Sequence, residues 1–392
     1  MGRLNQMKLG RKIGSTLVLL ATLVAFGQES QEETQEEAKK LTINGYVKDL
    51  LTFTFRQGVD SALTDNLVHN RINIKWYPSA KLTGKLEIRN RLFTGDLVKT
   101  IPNYRDLIDV NDDHFDLSTA ATGDKVIFHS MIDRAYLQWS EEKWQLSVGR
   151  QRINWGVNVA WNPNDIFNAY SLLDFDYEER PGSDAIRYQR YIGFAGGYEF
   201  AIKMADSWEE VTAAGMYKWN YKSYDLQVLG GIMRNSLALG AAWAGNLGLT
   251  GFKGEFTILD DLATSGSTDF LASISSDYSF PNSLYFNGSV LYNSASPSAN
   301  AIGFGSSPAN LDVRSISSTN WSAYVSSAYT FHPLVNGSMM VLFFPGDSGI
   351  LMGPSLTYSP VTNFDFDLIG QLFFEERQSN IFLIYTRLRY SF

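Results

Sequence analysis

From position 41 to its last residue the chain keeps returning to one pattern: a large apolar residue, then a polar or small one, over stretches of about ten residues. The last stretch is the plainest. In Ile381-Phe-Leu-Ile-Tyr-Thr-Arg-Leu-Arg-Tyr-Ser-Phe392, Thr386, Leu388, Tyr390 and Phe392 share one parity, and Tyr385, Arg387, Arg389 and Ser391 share the other. Successive side chains of a strand point to opposite faces, so a greasy aromatic row stands back to back with arginines. A sheet with lipid on one side and water on the other needs that pairing.

Comparable period-two stretches cover 41–56, 70–77, 81–93, 134–139, 144–151, 211–220, 224–233, 237–246, 249–259, 270–280, 283–292, 321–331, 337–344, 350–358, 364–374 and 381–392. Short connections at 78–80, 140–142, 281–282 and 360–362 contrast with long ones at 93–126, 152–184 and 294–320. Short and long connections fall at opposite ends of a barrel only if 185–205 forms two strands. Gly193, Gly196 and Gly197 supply a turn for them. The expectation is an all-β fold: a transmembrane antiparallel β-barrel of about 18 strands, with about 16 as the alternative, wide enough for an aqueous interior. The competing arrangement, a soluble β-sandwich, would put polar rather than aromatic side chains on its outer faces.

The N-terminal region reads differently. Arg3, Lys8, Arg11 and Lys12 precede an apolar run at 13–26, and Ala25-Phe26-Gly27 offers small residues for cleavage, so 1–27 is expected to be a secretion signal. Residues 28–40, rich in Glu and Gln, read as an acidic periplasmic tether, and 41–392 as the outer-membrane barrel. No cysteine is present, which excludes a disulfide, a thiolate metal site and a cysteine-linked lipid. After position 27 no apolar run approaches the roughly 18 residues of a membrane helix. A closed barrel is then the remaining way to cross lipid with every backbone group paired. The net charge of −8 disfavours nucleic acid as a partner.

With apolar sides turned to lipid, the inward residues form a basic wall: Lys48, Arg71, Lys75, Lys85, Arg89, Arg91, Arg134, Arg187, Arg387 and Arg389, with Tyr46, Glu87, Tyr136 and Gln189 among them. The arc 211–358 is mostly Ser, Thr, Gly, Asn and aromatics, with isolated inward charges such as Lys253 and Glu255. Arg150 and Arg190 sit on the wrong parity for this scheme and call for a bulge or an interfacial position. The third long loop is dense in Trp, Asn and carboxylates. It carries Trp155, Trp161, Asn162, Asp165, Asp174, Asp176, Glu178, Glu179 and Arg180. Such a loop is expected to fold into the lumen and set its carboxylates against the basic wall, making a constriction with a transverse field. Two other arrangements stay open, a loop that plugs the barrel and an outward cap.

The stretch 149–187 resembles a porin-like family of Gram-negative outer-membrane barrels of the kind found in the Bacteroidota. The matching phrases are Gly149-Arg-Gln with Ile153-Asn-Trp-Gly156, Trp161-Asn-Pro-Asn-Asp165, Tyr177-Glu-Glu-Arg-Pro-Gly182 and Asp184-Ala-Ile-Arg-Tyr188, with a looser one at 277–285. The resemblance implies an outer-membrane location and a channel-like fold; the even strand count is expected to put both termini in the periplasm, with outer-membrane lipid and lipopolysaccharide as the surrounding partners. It implies no substrate and carries over no binding residue. The leading expectation is a channel for passive diffusion of small hydrophilic solutes. The alternative is a plugged accessory subunit of an outer-membrane export, uptake or assembly complex. A homo-oligomer would find a candidate contact in the small-residue wall 237–251. No nucleophile motif accompanies His69, His114, His129 or His332, and the aspartates 109, 112, 113 and 116 lack the spacing of an EF-hand loop, so no enzyme, cofactor or metal is expected. An active transporter would need a larger barrel and a folded N-terminal plug.

Overall fold

In a computed structural model of the chain, residues 40–109, 113–170, 172, 182–263, 267–295, 312–317, 319–346, 349–375 and 379–392 are described. Apart from short helical turns, the elements are antiparallel strands: β1 (Leu41–Arg56), β2 (Leu63–Trp76), β3 (Leu82–Gly95), β4 (Ser118–Gly123), β5 (Val126–Ser140), β6 (Trp144–Gln151), β7 (Ser183–Ile192), β8 (Gly196–Lys203), β9 (Thr212–Tyr221), β10 (Tyr224–Met233), β11 (Ser236–Leu247), β12 (Thr250–Asp261), β13 (Thr268–Ser279), β14 (Tyr285–Asn293), β15 (Trp321–His332), β16 (Val335–Phe344), β17 (Gly349–Val361), β18 (Phe364–Glu375) and β19 (Ile381–Ser391). Two helices of one turn, α1 (Asp96–Thr100) and α2 (Tyr104–Ile108), lie in the loop after β3.

Each strand pairs with the next in sequence, except that β3 pairs with β5, and β19 pairs back onto β1 from Tyr46↔Ser391 to Arg56↔Ile381. Gly45 and Phe392 exchange two 2.9 Å backbone hydrogen bonds to finish that seam. The result is a closed ring of 18 strands with β4 added outside it. Closure leaves no free edge, which is what a sheet in lipid requires. The short turns and both ends of the barrel domain, Leu41 and Phe392, share one end of the ring. The 185–205 region is two strands, β7 and β8, with the turn at 193–195, as the loop parity required.

The period-two pattern maps onto the two faces of the wall. Outward positions such as Leu137, Ile202, Leu239, Ile274, Val290 and Leu388 are exposed apolar residues. An aromatic chain runs across the exterior toward the short-turn end: Trp144 to Tyr188 (6.1 Å), Tyr188 to Tyr198 (6.4 Å) and Tyr198 to Phe200 (5.6 Å) between ring centroids. Such a band suits the boundary of a bilayer.

One irregularity matters for the interior. Between β3 and β5 the register shifts, so that Glu87 faces Arg134 and Ile88 faces Ile132. Asp133 is the extra residue of a bulge. It turns two consecutive charged side chains, Asp133 and Arg134, toward the lumen. The bulge also explains why the period-two pattern starts this strand at position 134, since the alternation of 126–132 is out of phase with that of 134–139.

Candidate functional site

The lumen of the barrel has two unlike walls. On β1, β2, β3 and β5 the inward side chains form an ion lattice. Arg71 is bound by both Asp133 and Glu87. Asp133 also takes Arg89 at 3.0 Å, and Glu87 also takes Lys85 and, at 3.4 Å, Arg134. Lys75 lies directly opposite Lys85 in the ladder. Arg91 reaches the His129 ring at 3.1 Å and the Ile108 carbonyl at 3.3 Å. Lys48 and Arg389 approach the Tyr46 ring, at 5.3 and 4.6 Å from its centroid. On β19, Arg387 pairs with Asp367 of β18 at 2.8 Å. The wall thus brings Lys48, Arg71, Lys75, Lys85, Arg89, Arg91, Arg134, Arg387 and Arg389 together on one arc. Arg187 stands apart on β7, gripped by Glu199 of β8 at 2.6 and 2.9 Å.

Three carboxylates that hold these cations, Asp133, Glu199 and Asp367, are absent from the residues that the sequence pattern selects. Asp133 is hidden by the bulge. Asp367 is the residue across the ladder from Arg387, so pairing the last strand with the one before it would have found it.

The third loop lines the other wall. Its Ile153, Trp155, Ile166 and Phe167 pack in one cluster with inward Ala, Met and Leu side chains of β7 to β13, such as Ala201, Met216 and Leu259. Trp161 packs with Leu291, Leu342, Phe344 and Leu351 of β14, β16 and β17. Polar anchors fix the seating. Trp155 Nε1 donates to Glu199 Oε1 at 2.6 Å. Ser275 Oγ donates to Asn158 Oδ1 at 2.6 Å, and Thr257 Oγ1 to Asn164 Oδ1 at 2.7 Å. Glu255, the isolated inward carboxylate of β12, accepts the backbone N–H groups of Val157 (3.2 Å), Asn158 (3.1 Å) and Asn164 (3.0 Å). Inside the loop, Asn162 Nδ2 reaches the Tyr170 hydroxyl at 3.4 Å, and Gly156 is needed because a Cβ there would stand 2.3 Å from the Asn162 amide.

Of the loop residues singled out by sequence, Trp155, Trp161, Asn162 and Asp165 are all buried, and Asp165 follows Asn164 at the Glu255 anchor. Asp174, Asp176, Glu178, Glu179 and Arg180 lie outside the described residues.

Among the described residues, the second loop faces the basic wall. Tyr104 of α2 packs edge-on against inward Phe93 (6.2 Å), and Asp109 meets His129 at 3.3 Å. β4 pairs with the upper part of β5, beside the position where β6 pairs with its lower part. The adjoining segment 113–117 resolves the Arg150 anomaly. Arg150 is 3% exposed, held by Asp184 of β7 at 2.9 and 2.8 Å and by the Phe115 carbonyl. Asp113 contacts Lys203 at 3.3 Å; burial pushes its carboxyl above the usual carboxylate range, against the pull of the Lys203 and Arg150 charges. Arg190 sits two residues from the end of β7, beside the turn at 193–195. Asp109 meets His129 and Asp113 meets Lys203, while Ser118 Oγ donates to both Asp109 (2.7 Å) and Asp116 (3.0 Å).

No family model and no curated protein matches the sequence. The fold does have solved counterparts. OccAB4 of Acinetobacter baumannii is 10% identical with a TM-score of 0.58, over 91% of this chain and 100% of that one. The outer-membrane protein OpdK of Pseudomonas aeruginosa is 11% identical (TM-score 0.56; 90% and 98% covered), and OccK11 (OpdR) of the same organism 9% identical (0.58; 93% and 99%). At these identities the likeness is one of fold: this chain has the architecture of those barrels along nearly their whole length.

Proposed function

We propose that the protein is an outer-membrane, porin-like channel for passive diffusion of small hydrophilic solutes, with both termini in the periplasm. One observation carries this reading. The same strands present exposed apolar side chains outward and a lattice of Lys, Arg, Asp and Glu inward, so lipid is served on one side and water on the other. Enzymatic chemistry has no support in this lumen, where the inward histidines His69 and His129 sit against Tyr46 and between Arg91 and Asp109. The solved barrels of like fold include an outer-membrane protein by description, which agrees with the location.

The solute path runs between the two walls, along the basic arc. In its middle, among the described residues, the inward cations Lys48, Arg71, Lys85, Arg89, Arg91 and Arg134 outnumber the inward carboxylates Glu87 and Asp133, which favours anions over cations. Reconstitution in a planar bilayer tests this: discrete conductance steps with an anion-selective reversal potential in a salt gradient are expected, and a cation-selective channel would overturn the charge argument. A specific observation favours the second reading, a plugged accessory barrel. Both the second and third loops enter the lumen, α2 against β3 and residues 153–167 against β7 to β17. A protein that inserts fully yet stays silent would decide for it.

A further inference from the structure

The third loop does not cover the whole of the wall it clasps. It reaches Ser273 and Ser275 through Asn158, and Leu342 and Tyr324 through Trp161. One step nearer the short turns, the ladder sets inward Gly251, Asp277, Asn287 and Ser326 side by side on β12 to β15. Lys253 and Tyr324 stand one inward position above this row, and Tyr285 stands one below it. The parity is fixed by Ile274, Phe286, Val290 and Val325, which are exposed on the outer face.

These side chains are set for a ligand more than for one another. Lys253 Nζ and Asp277 Oδ1 approach only to 3.9 Å, beyond a hydrogen bond, and with side chains 32% and 25% exposed both reach the water of the lumen. Gly251 lets the Asp277 carboxylate lie across β12, since a Cβ there would stand 2.6 Å from Oδ1. Asn287 is 1% exposed and, among the described residues, its Oδ1 has no hydrogen-bond partner. An idle acceptor at such depth calls for a donor from outside the chain. Trp161 meets the Tyr324 ring edge-on at 6.3 Å and fixes its orientation. Tyr285 and Tyr324 are half-buried, so part of each ring stays open to the lumen.

We infer that this shelf beneath the third loop binds a neutral sugar of one or two rings. The inference names a solute class for the channel proposed above and rests on that reading for its use. Four strands across and three inward positions along give a patch of about 14 Å each way, room for one or two hexose rings. The faces of a sugar ring carry C–H groups that pack on aromatic faces, and its hydroxyls donate and accept at once. Tyr285 and Tyr324 meet the first need. For the second, Asp277 and Asn287 Oδ1 accept, Lys253 donates, and Ser326 does either. Charge decides against other solutes. Lys253 and Asp277 offset each other, so an anion drawn to one is repelled by the other, and so is a cation. The basic arc across the lumen has the reverse character, a cationic surplus suited to anions.

The test reads binding directly and does not depend on conductance. Saturation-transfer NMR is run on the protein in a detergent without a sugar head group, with maltose as the probe and succinate as the anionic comparison. Transfer to maltose ring protons and little to succinate is expected. Asp277→Ala and Tyr285→Ala should each weaken maltose binding about tenfold, Tyr285→Phe, which keeps the ring, should restore it, and Val290→Ala on the outer face of β14 should leave it unchanged. Heat-modifiable gel migration checks that each variant folds. In the parent protein, where folding is not in question, maltose should slow acetylation of Lys253, read by peptide mass spectrometry. No transfer to maltose, equal transfer to succinate, affinity unmoved by both alanine variants, or Lys253 unprotected would each overturn the inference. Binding by a protein that is silent in a planar bilayer would leave this site standing and remove the channel. Conductance without binding would remove the site and leave the channel.

Discussion

On β1, β2, β3 and β5 the inward side chains hold one another; on β7 to β17 they are held by a loop. The first wall is a sheet of charges whose side-chain contacts join opposite signs, as with Arg71 between Glu87 and Asp133, although the ladder itself sets Arg71 opposite Arg89 and Lys75 opposite Lys85. The second is built from Ala, Leu, Ser and Thr, and the third loop covers it as a helix covers a soluble sheet. The difference teaches where a solute can travel. A wall of small and apolar residues invites a cover, because burial of Ile153, Trp155 and Phe167 contributes about 2 kcal/mol for each side chain. A wall of charges resists one, because a cover would have to desolvate it. On the channel reading proposed above, the solute path runs along the ion lattice.

The largest break in this contrast comes from the lattice itself. Asp133 is 3% exposed and serves both Arg71 and Arg89. Asp133→Ala leaves two guanidinium groups short of a carboxylate, at a cost of about 3–5 kcal/mol. The urea midpoint of the barrel in detergent, followed by heat-modifiable gel migration, should fall accordingly. An unchanged midpoint would mean that water, not Asp133, satisfies those arginines.

Next in size is the loop anchor. Glu255→Gln keeps the shape of the side chain and puts an amide N–H₂ where a carboxylate oxygen now accepts backbone N–H groups. A donor set against donors leaves buried N–H groups unsatisfied, at a cost of about 1–3 kcal/mol, so the loss is of that order. The loop should become cleavable by an added protease, and single-channel current should become noisier as it moves. If both stay as in the parent protein, apolar packing alone seats the loop.

The same contrast governs how much was legible in the sequence. A charged inward residue every second position is visible in any strand that keeps strict alternation, as at 85–91, and so the basic arc could be read directly. Asp133 could not, because a bulge erases the phase that makes parity meaningful. Strand β4, Ser-Thr-Ala-Ala-Thr-Gly, has no apolar alternation and forms only because β5 offers an edge. The loop's Trp and Ile content showed that it packs on something. Which wall it chose is a property of the closed ring, and the clue was Glu255: a buried carboxyl group on a wall with few charges needs donors from elsewhere.

The basic arc offers a subtler perturbation. Arg89→Gln with Arg91→Gln removes two positive charges while Glu87 and Asp133 stay. The reversal potential in a salt gradient should move toward cations, with conductance little changed. An unmoved potential would take the solute path away from these residues.

The smallest effect belongs to the clasped wall. Ser275→Ala deletes one neutral hydrogen bond, the 2.6 Å contact to Asn158 Oδ1, and neutral bonds contribute only about 1 kcal/mol. Asn158 keeps its backbone bond to Glu255 and its Nδ2 bond to the Ser273 carbonyl, so the loop should stay seated and protease-resistant. Equal cleavage rates in Ser275→Ala and Glu255→Gln would show instead that the clasp is spread evenly over its polar contacts, with the carboxylate holding no special place among them.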